Sequence, residues 1–318
     1  MTTNHGSTSP EALTDRIETA IHQNVGRGMD AVFQATAGGL WRATAALAAS
    51  SRPKIGLITG FFVPGADPPA AETDGPAGAA LLALGFRRSG LQCRLATDTI
   101  CASACRAAMV AAGVPDVLID TAEPGRSVGG IIDLWRQDGI DWVISIERCG
   151  PAADGRSYNM RGSDISAYAA PLDRLFTAGP WRTIAIGDGG NEVGMGRVPR
   201  SLIAGHVPSG EAIGCVVPAD FLITAGVSHW GAYAVLAALA LQRPEWRTAM
   251  VAGLEPALDR AVVEAMVRDG PAVDGVSLRR EATIDALGME THQRVLAAVR
   301  ELIPAPGTAA PASPAGAA

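Results

Sequence analysis

Ile184-Ala185-Ile186-Gly187-Asp188-Gly189-Gly190-Asn191-Glu192 is a short apolar run that stops abruptly in glycines and acids. A run with no polar alternation fits a strand covered on both faces. The glycines after it permit positive φ and let a ligand approach the main chain, while Asp188, Asn191 and Glu192 supply acceptors or metal ligands. A glycine-rich turn with solvated polar residues is the competing reading. The position directly after a strand favours a site, because loops at strand ends carry function. A dinucleotide fingerprint is absent: no GxGxxG opens a helix here or after the first strand.

The same pattern recurs along the chain. Apolar runs at 55–59, 90–96, 117–119, 142–146, 184–186 and 221–223 predict six strands, with Asp120 just beyond the third and helical spacing between them. Strands alternating with helices indicate βαβ units and an α/β fold: a mainly parallel, doubly wound sheet with helices on both faces. Residues 11–50 read as helices packed ahead of the sheet, and 254–267 and 290–302 as helices after it. We expect one α/β catalytic domain over 11–303, with disorder over the polar stretch 1–10 and the Pro/Ala/Gly-rich stretch 304–318. No internal repeat of fixed period is visible.

Composition narrows the partners. The chain of 318 residues is 48% hydrophobic, enough for an extensive core, and its formal charge of -6 argues against nucleic acid or an anionic membrane. A small acidic amino acid is the expected partner, and a homo-oligomer is compatible with the sequence. Five cysteines without a CxxC spacing suggest buried thiols rather than disulfides or structural zinc. No secretory signal and no long uninterrupted apolar run is seen, so a cytoplasmic setting is expected. Lys54 is the only lysine and sits at the entry of a strand, the wrong end for a site, which sets aside Schiff-base and pyridoxal phosphate chemistry.

In an open parallel sheet, ligands bind beyond the carboxyl ends of the strands, and the remaining candidates fall there. Glu147 caps the fourth strand and opens a long loop containing Arg148, Asn159, Arg161 and Asp164. Planar guanidinium groups bind carboxylates through two parallel hydrogen bonds, so Arg148 and Arg161 are candidate substrate clamps, although a surface ion-pair network would look the same. Asp164 also fits a helix cap, and Asn159 also fits turn chemistry. Glu72 and Asp74 stand two apart before a helix that starts at Pro76; either could be a general base or, with Glu192, a metal ligand, while Asp74 could equally cap the helix. Ser228 and His229 follow the sixth strand. His229 is the natural acid or base near neutral pH, although a lone histidine is more often structural. His5, His22, His206 and His292 show no clustered partners. A GxSxG elbow and a Cys–His pair are both missing, so nucleophilic hydrolase chemistry has little support.

Taken as an ordered set, Thr59-Gly60-Phe61, Glu72-Thr73-Asp74-Gly75-Pro76, Tyr158-Asn159-Met160-Arg161-Gly162 with Asp164-Ile165-Ser166, Gly187 through Gly196, and Ala225-Gly226-Val227-Ser228 with Trp230-Gly231-Ala232-Tyr233 resemble the D-glutamate cyclase family over roughly residues 20–300. Cys149 stands where that family usually has Pro, and His229 where Asn is common. The resemblance implies a lyase that converts D-glutamate to 5-oxo-D-proline with loss of water, or the reverse. In animals the similar domain follows another one, so a stand-alone bacterial form is implied here.

The roles of individual residues come from the chemistry rather than from the resemblance. Ring closure needs a deprotonated amine and a neutralised side-chain carboxylate. Asp188, Glu72 or Glu147 can take the ammonium proton if burial or a like charge raises its pKa, with His229 as a further candidate. Arg161, the loop amides of Gly189 and Gly190, or a bound cation would stabilise the oxyanion; Arg148 would hold the α-carboxylate; Asn159, Asp164, Asn191 and Ser228 would complete the substrate contacts. The scheme needs no cofactor, and a divalent cation, Mg or Mn, on Asp74 and Glu192 is compatible with it. The alternative is a non-catalytic binding module, a sensor that uses the same arginines without turnover.

Overall fold

In the computed structural model the described residues are 9–305. The disorder expected at the two ends falls largely on 1–8 and 306–318, which lie outside them. Pro10 is already helical, and the Ser9 hydroxyl accepts the Ala12 amide at 3.2 Å as its cap.

Six parallel strands form the central sheet: β1 (Lys54–Ile58), β2 (Gln92–Asp98), β3 (Leu118–Ala122), β4 (Trp142–Ile146), β5 (Arg182–Gly187) and β6 (Phe221–Thr224). Their spatial order is β3-β2-β1-β4-β5-β6. Ile55 of β1 therefore pairs with Cys93 of β2 on one side and Trp142 of β4 on the other. The chain winds outward from β1 to one edge, crosses back and winds to the other edge, so the order reverses between β1 and β4. That reversal leaves a crevice at the carboxyl ends of these two strands, the place where such sheets bind ligands.

Side chains alternate across each strand. In β4, Trp142, Ile144 and Ile146 join the core on one face, while Val143 joins the core on the other. The first face carries α1 (Pro10–Ile21), α3 (Gly39–Ala48), α4 (Pro76–Arg88), α5 (Ala102–Ala111), α7 (Ser228–Gln242), α8 (Pro256–Asp269) and α9 (Met289–Glu301). The second carries α2 (Asp30–Thr36), α6 (Gly129–Asp138) and the connections around β5. A fully buried Leu or Ile contributes about 1.5–3 kcal/mol over an exposed one, so two such layers dominate the stabilisation. Residues 228–240 of α7 are all buried; that helix is apolar around its circumference because other helices and the sheet surround it. Gly78 of α4 allows the approach, since a Cβ there would lie 2.6 Å from Ile146 Cδ1 and 3.0 Å from Ala232 Cβ.

The α/β class, the six strands and the helical flanks match the expectation from the sequence. One detail differs. Asp120 lies within β3, opposite Ala96, rather than beyond it. Its carboxylate accepts Arg94 Nε at 2.9 Å, Arg94 Nη2 at 2.6 Å and Trp135 Nε1 at 2.8 Å, so its role is to tie the edge strand down. Among the described residues, no helix is long and apolar enough to cross a membrane.

Candidate active site

Three strand ends deliver the acids. Glu147 follows β4 and Asp188 follows β5, while β1 leads through a short hairpin (Phe62–Val63 with Ala70–Ala71) to Glu72 and Asp74. Gly75 then opens α4 at φ +84°. A side chain there would meet Thr59 Oγ1 at 2.5 Å and Glu147 Cβ at 2.9 Å, so only glycine lets the helix begin this close to the strand ends. Glu147 itself sits at φ +42°, a left-handed conformation that costs a non-glycine residue about 1–3 kcal/mol. Strain of that size is typical of a side chain aimed by its surroundings, and Glu147 is so aimed: the Ser228 hydroxyl donates to its Oε2 at 2.6 Å.

Ser228 also joins two strand ends. Its amide, in the first turn of α7, donates to Asp188 Oδ2 at 2.7 Å. The helix N-terminus favours the ionised form of that carboxylate. Asp188 Oδ1 is ion-paired with Arg27, and the second arm of Arg27 reaches Asp285. A cavity of 320 Å³ forms over these groups, its wall including Glu72, Glu147, Asn159, Arg161, Asp188 and Asn191 together with Arg27 and Asp285. Glu72 Oε1, Asp74 Oδ2, Asn191 Oδ1 and Asp285 Oδ2 are buried there without a hydrogen-bond partner.

So many buried acids cannot all ionise. Burial, reinforced by the neighbouring Asp285 and Asp188, pushes the carboxyls of Glu72 and Asp74 well above the usual range. Burial, with Asp188 and Glu192 close by, does the same to Glu147. Burial raises Asp188 only to about 6 and Asp285 to about 7, because Arg27 opposes it. The result is a site in which neutral carboxylic acids stand next to carboxylates poised near neutral pH, the separation of acid from base that proton-transfer chemistry uses.

Other expected residues have different surroundings. Glu192 accepts the amides of Asp188 and Gly189 on Oε1 at 2.7 and 2.6 Å, and that of Gly190 on Oε2 at 2.7 Å. The carboxylate thus folds the loop from inside, and the amides of Gly189 and Gly190 are spent on it rather than turned to the cavity. Arg148 is fully buried and away from the cavity: it is paired with Asp98 and donates to Gly60 O at 2.7 Å and Ala170 O at 2.6 Å. His229 lies behind Ser228, fully buried, with Nε2 2.6 Å from Asp259 Oδ1 of α8. Asp164 stands on the rim of an adjoining chamber, where it accepts the Ser166 amide at 2.9 Å. Asn159 Oδ1 accepts the amides of Arg161 and Ser163, each at 3.0 Å, and Arg161 donates to Val276 O at 2.9 Å, bracing one wall of the cavity against the other. Asp74 Oδ1 accepts the Gly75 amide at 2.7 Å, and its other oxygen faces the acid cluster.

Arg27 and Asp285 were not expected. Arg27 sits between Gly26 and Gly28 in the α1–α2 connection, both at positive φ, and no motif marks it. Asp285 occupies the tip of a hairpin (Thr283–Ile284 with Leu287–Gly288), and Asp285 and Ala286 are both left-handed. Such turns usually announce themselves as Asn-Gly or Asp-Gly, and Asp-Ala hides this one. Asp274 holds the segment, its Oδ2 accepting the Ala286 amide and the Thr283 hydroxyl, both at 2.7 Å. His292 has partners after all: it accepts Trp230 Nε1 at 2.8 Å and sits 3.2–3.3 Å from the carbonyls of Leu287 and Ile284, which fastens the hairpin to α7.

The motifs that build this cavity also define a family. The sequence pattern described as D-glutamate cyclase-like, C-terminal, matches residues 17–300. The chain belongs to the D-glutamate cyclase-like family. A relative in Homo sapiens, D-glutamate cyclase, mitochondrial, is 34% identical over 210 residues, which covers 61% of this chain and 34% of the human protein. The chain thus corresponds to about a third of that relative's length. The family match takes in every element that lines the cavity, from Arg27 in the α1–α2 connection to Asp285.

One oxygen each from Asp74, Asp188 and Asp285 lie within 4.8 Å of one another, and so do one each from Glu147, Asp188 and Glu192. The first set is the better fit to a hard divalent cation, since Asp74 Oδ2 and Asp285 Oδ2 have no other partner whereas Glu192 is committed to three amides.

Proposed function

We propose that the cavity cyclises D-glutamate to 5-oxo-D-proline with loss of water. The observation that carries this reading is the pairing, in one cavity, of neutral carboxylic acids with an ionised carboxylate held by Arg27. Glutamate enters as an ammonium with two carboxylates. Asp188, poised near 6, takes the ammonium proton and frees the amine. Glu72, held neutral, hydrogen-bonds the side-chain carboxylate and cancels its charge; of the three ammonium protons one stays on the ring nitrogen, and two reach the leaving oxygen by way of Asp188 and Glu72 as water departs. Glu147, fixed by Ser228, supports the tetrahedral oxyanion in the same way. Arg161, at the mouth, receives the α-carboxylate and favours the folded conformer in which amine and carbonyl carbon meet.

Held by Asp74, Asp188 and Asp285 instead, a divalent cation would polarise the substrate carboxylate in place of Glu72, and Asp188 would then be its ligand rather than the base. The name of the human relative supports the D configuration and the free amino acid as substrate. Five free thiols among the described residues support a reducing, cytoplasmic setting. The test is incubation of the purified protein with D- and L-glutamate, with Mg²⁺ or Mn²⁺ and with EDTA, the lactam being read by mass spectrometry. Lactam from D-glutamate alone is expected; no lactam from either isomer under any condition would overturn the reading.

A further inference from the structure

The cavity opens into a second chamber of 420 Å³. Phe61, Glu72, Asn159, Arg161 and Gly275 belong to the walls of both, so the two are halves of one cleft. Beyond the shared wall the second chamber is lined by Phe62, Val63, Pro64 and Leu278 together with the polar Ser163 and Asp164. Tyr168 also lines it, exposed to solvent, its ring stacked on Phe62 at 5.5 Å between centroids and 21° between planes.

Free glutamate does not account for this space. It has ten non-hydrogen atoms, and at about 10–15 Å³ of cavity for each water-sized atom it needs about 100–150 Å³. The first chamber, at 320 Å³, supplies that alone. A reaction whose only leaving group is water leaves an aromatic chamber with nothing to hold.

Glu72 shows which end of the substrate faces it. The carboxyl lies at the junction, with Oε2 packed so closely on Gly275 that a Cβ there would come within 2.1 Å, and with Oε1 buried and unpartnered. A group leaving the side-chain carbonyl takes its proton from the acid beside it. Departure therefore occurs at the junction, toward the second chamber.

We propose that the cleft also cyclises γ-amides of D-glutamate whose amine portion is apolar or aromatic, that portion resting against the side of the chamber formed by Phe62, Tyr168 and Leu278. This rests on the cyclisation proposed above for the first chamber. The α-amine adds to the γ-carbonyl carbon, forming the ring C–N bond, and collapse of the intermediate breaks the amide C–N bond. Of the three protons on the original ammonium, one stays on the ring nitrogen and two pass by way of Asp188 and Glu72 to the departing nitrogen, which leaves as an ammonium. Products are 5-oxo-D-proline and the free amine, with no water and no oxidant consumed. Asp164, on the rim of this chamber, receives the departing cation.

The experiment compares D-glutamate, γ-D-glutamyl methylamide and γ-D-glutamyl benzylamide on the purified protein, reading lactam and amine by mass spectrometry. Both amides are expected to react, with kcat/KM for the benzylamide about tenfold above the methylamide, the scale of one aromatic pair. Tyr168→Ala should abolish most of that preference and leave D-glutamate turnover within about twofold, and Tyr168→Leu, which keeps apolar volume without the ring, provides a second variant. Turnover of D-glutamate without turnover of either amide would overturn the proposal, as would equal rates for the two amides. Turnover of the benzylamide without turnover of D-glutamate would sustain it and remove the free-acid reading. Failure of all three substrates would overturn both.

Discussion

Arg27→Met tests the electrostatic account of the cavity most directly. Methionine keeps the apolar stem of the arginine and deletes the charge that holds Asp188 and Asp285. Breaking a buried ion pair costs about 3–5 kcal/mol because the surviving charge is stranded. Here the stranded groups can escape by taking protons, so the cost depends on pH. With Arg27 present, burial already sets Asp188 at about 6 and Asp285 at about 7, both above the ordinary aspartate value of 3.8. The folded protein then retains protons that the unfolded chain has released, and this contribution to stability declines as pH rises from about 4 through 7. Without the guanidinium both groups rise further and the decline continues above pH 7, at about 1.4 kcal/mol for each unit of added shift. Urea titrations followed by tryptophan fluorescence should therefore show a loss of about 1 kcal/mol at pH 5 and about 3–5 kcal/mol at pH 8. Adding Asp285→Asn should restore part of the loss at pH 8. A loss that is equal at the two pH values, or greater at pH 5, would refute the idea that Arg27 is there to offset two buried acids.

Four further outcomes follow from the same geometry. Asp188→Asn should lower kcat for D-glutamate by about 10²–10⁴ while the near-UV circular dichroism is unchanged; near-normal turnover removes this residue as the base. For the unaltered protein, kcat/KM should climb through about pH 6 as Asp188 releases its proton, and fall at higher pH as Glu72 and Glu147 ionise, so a profile flat between pH 5 and 7 contradicts the assignment. Ser228→Ala removes the only donor found on Glu147 Oε2 among the described residues and should cost about 1–3 kcal/mol in a urea titration; a loss below about 0.5 kcal/mol would show that this oxygen finds water instead. Glu192→Gln replaces one of two accepting oxygens with a donor, so amide exchange at residues 188–190 should accelerate by tenfold or more, and unchanged protection would mean that the loop is held some other way.

What the sequence disclosed and what it hid differ for physical reasons. The acids at strand ends were legible because a parallel sheet must deliver the residue after each strand to the same rim, as it does for Glu147 and Asp188. Position along the chain does not say which way the next side chain points. Glu147 turns into the cavity; Arg148, its immediate neighbour, turns to the opposite side, where Asp98 at the end of β2 receives it. Alternation at a strand end would have separated the two. The same holds for His229, a residue beyond Ser228 on a helix: about 100° of rotation takes it from the cavity to Asp259 of α8.

Arg27 and Asp285 were hidden for a deeper reason, because neither follows a strand of the central sheet. Yet the cluster requires something like the first of them. Glu72, Asp74, Glu147 and Asp188 share one small volume, and protons alone can neutralise it only by leaving no ionised base. A fixed cation that touches Asp188 but not Glu72 resolves this, since it holds one carboxylate near neutral pH while the others stay protonated. Arg27 pairs with Asp188 and Asp285 and with no other acid among the described residues. On this argument the asymmetry of that contact, rather than the number of acids, makes a proton donor and a proton acceptor out of side chains of the same kind.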